Sequence, residues 1–459
     1  MRTYNIISLL AAILICGEAY AQNISPTDDI LREWTLDQCL EMSSRNNPYI
    51  KNAQIDIASA KARKSEAMWE FFPTVGLNGV GYYARNPLLT ITVTDVLGNS
   101  DAAWNINNAV IDAATEAGVD YRYNSFQRGY SAGVVATQPL FAGGRIVSGN
   151  RLASVGIKAA RLQSLIKERD TDDEIEKKFW TVVALQEKMK TLQAGKKLID
   201  ELYDDVIAAR QAGLVTESEV SEVALKQKEI FAGEVTLRGG LKLAKMDLFN
   251  AMGVRCGYTM LDSVSFTGTI TELISPVDCQ DLRPDGASYE AQLLDANIEA
   301  KQLERKMAEG EYLPEVGIGV SYGYGNMQGR MNGDKFNGIA FASVKIPLTG
   351  LGKLASRSKR YRNEVTKAMN EKEYLDAQLE LRRQKLWLDF ETAYNQAKVA
   401  EYASQTAEDA LLRVEADYGA GRATLSDLLK AELDSRNCAE EFIDRCIDHK
   451  TAMTAVRLY

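Results

Sequence analysis

The sequence predicts a mainly helical fold made of two tandem copies of one plan, each copy carrying a pair of strands. Three observations predict it. Two separate motifs recur at one fixed spacing. Short segments alternate large and small residues, as strands do. Two stretches of about 65 residues run without proline and carry helical periodicity.

The recurrence comes first, because self-similarity constrains the whole fold. Gln138-Pro139-Leu140-Phe141-Ala142-Gly143-Gly144-Arg145 returns as Ile346-Pro347-Leu348-Thr349-Gly350-Leu351-Gly352-Lys353, so that Pro139 and Pro347 are 208 residues apart. Ala212-Gly213-Leu214-Val215-Thr216 returns as Ala420-Gly421-Arg422-Ala423-Thr424, again 208 residues on. Pro73 and Pro314, in Phe72-Pro73-Thr74-Val75-Gly76-Leu77 and Leu313-Pro314-Glu315-Val316-Gly317-Ile318, are 241 apart. The 33 extra residues fall in the Asn-, Thr- and Asp-rich stretch 85–128, read as a long loop present in the first copy only.

Each copy opens with a helix, over 35–71 and over about 286–312. Thr35 with Gln38 makes a capping box, and Pro73 and Pro314 close the two helices. Strands follow over 74–83, 129–138, 316–325 and 337–346, the second of each pair ended by a proline. In 316–325 Val, Ile and Tyr alternate with Gly and Ser, which gives one large and one small face. Strands of about ten residues with Tyr near their ends suit either a membrane barrel or a soluble hairpin.

A long helix comes next in each copy, over 145–210 and 354–418. Leu185, Leu192, Ile199 and Val206 recur every seven residues with Val182 and Met189 between them, a pattern that packs helix on helix. The second long helix substitutes a run of alanines from Ala393 to Ala410. At 1.5 Å per residue each would be roughly 100 Å long, more than an ordinary globular domain can hold. Gly213 and Gly421 end these helices. Thr216 with Glu219, and Thr424 with Asp427, cap the returning ones. The domain organisation read from this is a leader over 1–21, a first repeat over 22–252, a turn-rich segment over 253–285 and a second repeat over 286–459.

The leader has a positive start at Arg2, an apolar run from Ile6 to Ile15 and small residues in Ala19-Tyr20-Ala21, the three parts of an export signal. Ile15 is bulky where lipidation at Cys16 would need a small residue. Beyond the leader no apolar stretch is long enough for a transmembrane helix. Net charge over the 459 residues is −9, which excludes a general nucleic-acid binder. The single histidine, His449, excludes histidine dyads and multi-histidine metal sites. No cofactor or metal is expected. The acids Asp172, Asp173, Glu174 and Glu176 read as the solvated face of a charged helix rather than as a catalytic pair, so no enzyme is expected. The cysteines do not form a disulfide framework, although Cys256 and Cys279 flank a turn-rich segment and are candidates to pair.

In order, duplication and spacing these motifs resemble the TolC family of outer-membrane efflux ducts. Trp34-Thr35-Leu36-Asp37-Gln38-Cys39-Leu40 with Asn46-Asn47-Pro48 is similar to that family's opening helix, residues 138–145 to its strand-to-helix junction, and the Gly-x-x-Thr turns to its periplasmic tips. The resemblance implies a homotrimer. Four strands per protomer would form a 12-stranded barrel, continued by a long α-helical periplasmic tunnel, with 253–285 in a belt around it. It implies an outer-membrane exit duct of a tripartite export system, passing small molecules from an inner-membrane transporter through a periplasmic adaptor. A type I protein-secretion duct and a periplasmic coiled-coil scaffold are the alternatives. Gly213, Leu214, Val215, Thr216, Gly421, Arg422, Ala423 and Thr424 would be the adaptor-contact tips. The family narrows its closed tip with acids just after the second turn. Asp427 matches the first of them, Lys430 departs from the second, and Glu219 and Glu222 are the first-copy equivalents; these four make up the expected periplasmic gate.

Overall fold

The computed structural model describes residues 33–86, 89–91, 95–96, 98, 100–118, 123–125, 128–279, 288–326, 335–347 and 350–459. The expected leader, the motif residues Leu348 and Thr349, and the boundary at 285 lie outside them. In chain order the elements are β1 (Glu33–Trp34), α1 (Leu36–Asn46), α2 (Pro48–Trp69), β2 (Thr74–Tyr83), β3 (Leu89–Ile91), α3 (Asp101–Ala117), β4 (Tyr123–Ser125), β5 (Arg128–Ala142), α4 (Arg145–Gln211), α5 (Glu217–Ala251), β6 (Ser265–Phe266), α6 (Tyr289–Gly310), β7 (Glu315–Asn326), β8 (Lys335–Lys345), α7 (Leu351–Gly419) and α8 (Leu425–Leu458). The two long helices run 67 and 69 residues. No helix among the described residues is long and apolar enough to cross a membrane.

Three expectations are corrected. The first helix is two, because Asn47 leaves the helical region (ψ 126°) and Pro48 starts the next helix. The buried Asn47 side chain holds the break, accepting from Tyr49 N at 2.7 Å and donating to Ala251 O at 2.7 Å. The stretch 85–128 is not only loop. It contains α3, capped by the Ser100 hydroxyl and ended by Gly118 at φ 64°, with β3 paired to β4 beside it. Lastly, β5 does not stop at Pro139. It continues to Ala142 with a register shift between Pro139 and Phe141. Its pairing with β2 ends at Thr137, so the missing N–H of Pro139 falls where β2 needs no donor.

The chain divides into two compact units, each drawing segments from both halves of the sequence. One holds Asn52–Lys167 and Gly286–Leu381. Its centre is an antiparallel sheet in the order β2-β5-β7-β8. Gly143 (φ 62°) and Gly144 (φ 75°) turn β5 into α4. A side chain on either Gly143 or Gly310 would strike the other's backbone, which is why the junction needs glycine.

The other unit holds the described residues of Met1–Lys51 with Glu168–Asp285 and Arg382–Tyr459. Its main core joins Trp34, Phe179, Phe249 and Phe266, with ring centroids 5.7 Å apart for Trp34–Phe249 and 6.0 Å for Phe179–Phe266. β1 and β6 pair in parallel beside it. Gln186 on α4 clamps β6, donating to Phe266 O and accepting from Phe266 N. The buried Lys245 donates to Leu261 O and Val264 O and so ties down the segment after α5. The heptad residues Leu192, Ile199 and Val206 pack against Val220, Val223 and Ile230 of α5 and Leu425, Leu428 and Leu429 of α8. That is the helix-on-helix contact their spacing calls for. Cys256 and Cys279 are both free thiols, so these candidates do not pair.

Candidate functional site

The four-stranded sheet has two unlike faces, fixed by its register. One carries Val75 and Leu77 of β2, Val134 and Ala136 of β5, Ile318, Val320, Tyr322 and Tyr324 of β7, and Ala340, Ala342 and Val344 of β8. The large apolar side chains among them are exposed: Leu77 is 84% accessible and Tyr322 62%. Aromatic residues gather at both ends of this face. Tyr322 and Tyr324 pack on Phe336 at one end, with centroids 5.7 and 4.9 Å apart. Phe141 sits at the other, level with Val316. The rows of Val316 and Tyr324 are eight residues apart, about 26 Å along the strand. In membrane strands an apolar band of about 25 Å with aromatic residues at both margins faces lipid.

The opposite face is mostly Gly, Ser, Thr and Asn. It carries Gly317, Gly319, Ser321, Gly323 and Gly325 on β7, with Gly133 and Thr137 on β5 and Asn78 on β2. Several of its glycines are crowded. A Cβ on Gly323 would come 2.9 Å from Ala132 O, and the Phe341 ring occupies the place of one on Gly319. On the apolar face Gly79 and Gly81 have room, with the nearest atoms at 3.9 and 4.0 Å. The backbones of β5 and β7 therefore approach closely at Gly133 and Gly323. Phe341, Ile339 and Val135 interrupt the polarity of the glycine-rich face. At the base of the sheet Arg145 and Lys345 share the carboxylate of Glu315.

Among the described residues the sheet is not closed: β2 and β8 each leave one edge unpaired, and they run antiparallel to each other. Lipid does not tolerate open edges.

The two helix tips share one construction. Gly213 (φ 76°) and Gly421 (φ 70°) end α4 and α7. Leu214 N donates to Ala209 O at 2.9 Å, and Arg422 N to Asp417 O at 2.7 Å, which closes the last turn. Thr216 and Thr424 then cap α5 and α8 with the same backbone angles, φ −87° and ψ 162°. In each case the third helical residue, Glu219 or Asp427, accepts from the threonine backbone N. Hydrogen bonds from the two threonines hold both carboxyls below their ordinary pKa. Leu214 is 80% exposed. Gly213, Thr216, Glu222, Gly421, Arg422, Thr424, Asp427 and Lys430 are exposed as well, while Val215, Glu219 and Ala423 are half-buried. Arg422 pairs with Asp417 and Arg210 with Glu217.

Residues 39–254 match the model of outer membrane efflux proteins. That segment belongs to the outer membrane efflux protein family. No curated protein matches the chain by sequence. Solved structures do. The outer membrane protein VceC of Vibrio cholerae is 16% identical with a TM-score of 0.67, covering 92% of this chain and 94% of its own. The Campylobacter jejuni CmeC outer membrane channel is 13% identical at 0.69, covering 96% and 90%. The open state of the Neisseria gonorrhoeae MtrE outer membrane channel is 13% identical at 0.67, covering 92% and 88%. At these identities the likeness is one of fold.

Glu174 is exposed, as expected of the α4 acids, but Glu176 and Asp172 differ from that solvated face. Glu176 is 2% exposed, accepts from the Thr454 hydroxyl at 2.6 Å and pairs with Arg457. Burial, with the charges of Glu176 and Glu168, pushes Asp172 up to about 6. No group of three or more metal-ligating side chains occurs among the described residues. Arg145 and Glu315 lie inside the recurring motifs, which assign them no role, while Lys345 and Phe341 lie in the strand 337–346 and are functional candidates that no motif singles out. That Arg145, Glu315 and Lys345 meet is not legible in the motifs, because the cluster joins three distant segments.

Proposed function

We propose that this chain is the outer-membrane exit duct of a tripartite export system and passes small molecules across the outer membrane of a Gram-negative cell. One observation carries the reading: a four-stranded sheet with one apolar face and one glycine-rich face, followed along the chain by two helices of 67 and 69 residues. The apolar band meets outer-membrane lipid. The glycine-rich face lines the water path. The antiparallel edges of β2 and β8 pair between copies, and a homotrimer of four strands each gives a 12-stranded barrel, an even number within the known range. The long helices extend the path into the periplasm.

A duct has no energy source of its own, so an inner-membrane transporter drives export and a periplasmic adaptor docks the duct to it. The adaptor contacts the tips at 213–216 and 421–424. Asp427 narrows the periplasmic end, and three copies form an acidic ring that acts on ions by its charge. Lys430, Glu219 and Glu222 stand around it. Membrane fractionation and negative-stain imaging of the detergent-extracted particle test this. The expected result is a threefold particle from the outer-membrane fraction. A soluble particle absent from membranes overturns it.

A further inference from the structure

On the glycine-rich face of the sheet, an apolar cluster and a basic one stand two rows apart. Along β8 the residues on this face include Lys345, Ser343, Phe341 and Ile339, with Val135 of β5 in the same row as Ile339. Phe341 and Ile339 remain 42% and 56% exposed, although they lie on the side where glycine and small polar residues otherwise prevail. Lys345 is four residues below Phe341, about 13 Å along the strand. Its side chain is 77% exposed, and its ammonium stands 3.7 Å from a Glu315 carboxylate that already holds Arg145. Two cations thus share one anion, and this patch keeps a positive surplus in a chain of net charge −9.

We infer that this patch is a wall site for amphipathic organic anions, the Phe341–Ile339–Val135 surface taking the apolar body and Lys345 with Arg145 the anionic head. The inference rests on the duct reading, which makes this face the lining of the path. An inorganic ion leaves the apolar surface unused. A lipophilic cation meets the positive surplus. A solute with an aromatic body and a sulfonate or carboxylate end satisfies both ends of the site. The site is repeated in every copy of the ring, and its contacts are weak enough to release what they bind, as passage requires.

The test is current through the purified full-length assembly in a planar bilayer, with probe added on the barrel side. The probes are anilinonaphthalene sulfonate, tetraphenylphosphonium and sodium sulfate. The expected result is block by the aromatic sulfonate at lower concentration than by the aromatic cation, and none by sulfate. Lys345→Gln and Phe341→Ser should each raise the half-blocking concentration of the sulfonate about tenfold, the equivalent of ~1.4 kcal/mol. Ile339→Asn is the second apolar variant should Phe341→Ser fail to assemble. Equal block by both aromatic probes, or unchanged block in the variants, overturns the site while leaving the duct intact. A wild-type assembly that carries no current overturns the duct reading and the site with it.

Discussion

Gly133 and Gly323 face each other across β5 and β7 so closely that a Cβ on Gly133 would lie 2.5 Å from the Gly323 Cα. No side chain fits there without pushing the strands apart. The close approach of β5 and β7 therefore depends on this pair. Gly133→Val should lower the stability of the assembled protein by more than about 2 kcal/mol, in the range of overpacked cores. Gly81→Val, on the opposite face with open space around it, should cost less than about 1 kcal/mol. Heat denaturation of the two detergent-extracted variants checks this, and equal midpoints would show that the sheet does not need the glycine contact.

Much of this fold is legible in the sequence, and the reasons are local. The tips could be read because a glycine stop and a threonine cap are short-range devices whose residues are neighbours. The strands could be read because Val316 to Tyr324 alternate without interruption. The break at Asn47 has a local signal in Pro48, which disfavours helix at the residue before it, whereas the bond to Ala251 O that holds it comes from 204 residues away and leaves no mark in the motif. The burial of Glu176 was missed because Arg457 and Thr454 arrive from the far end of the chain. Helix α3 was missed for another reason. Ser100 and Gly118 are ordinary start and stop signals, but the polar composition between them reads as loop.

Arg457 holds one oxygen of Glu176 and the Thr454 hydroxyl holds the other. Removing the cation leaves a carboxylate that is 2% exposed with only a hydroxyl for company. Breaking a fully buried pair costs about 3–5 kcal/mol. Arg457 is itself 43% exposed, so solvent screening brings Arg457→Ala down to about 1–3 kcal/mol. Thr454→Val should cost about 1 kcal/mol, the worth of one hydrogen bond. Denaturant unfolding of the two variants and of the double variant checks this. If the double variant costs no more than Arg457→Ala alone, the two partners act as one unit.

Stability should respond to pH through two groups of opposite sign. His449 is fully buried, donates through Nε2 to Ile274 O at 3.0 Å, and is held below its ordinary pKa by burial. Its folded form resists protonation, so stability is lost as pH falls below the unfolded value of about 6.5. Asp172 is raised to about 6, first by burial and then by Glu176 and Glu168. Its folded form takes up a proton more readily than the unfolded chain does. Its destabilising effect is therefore present in full above a pH of about 6 and relieved as pH falls towards the ordinary carboxylate value. Asp172→Asn should stabilise the protein at a pH of about 7.5 by about 1 kcal/mol after solvent screening, with no gain at a pH of about 4. His449→Gln should flatten the loss below a pH of about 6.5. Thermal melts across this pH range check both. A stabilising effect of Asp172→Asn that persists at the acid end would show that charge is not its cause.

At the second tip a pair of substitutions separates the helix cap made by Asp427 from its proposed part in an acidic ring. Asp427 accepts from Thr424 N at 3.0 Å and from the Thr424 hydroxyl at 2.6 Å, and that cap lowers its pKa. In the proposed ring it would act through its charge. Asp427→Asn keeps an acceptor at the cap and removes the charge. Thr424→Ala keeps the charge and removes the hydroxyl of the cap. The first should barely move the thermal midpoint yet lower the cation preference of the channel current. The second should cost about 1 kcal/mol of stability and leave the ion preference close to that of the parent protein. Reversal potentials in asymmetric salt, measured beside thermal midpoints, distinguish them. An Asp427→Asn current as cation-selective as the parent's would leave Asp427 as a helix cap alone, and the narrowing of the periplasmic end would then belong to other side chains.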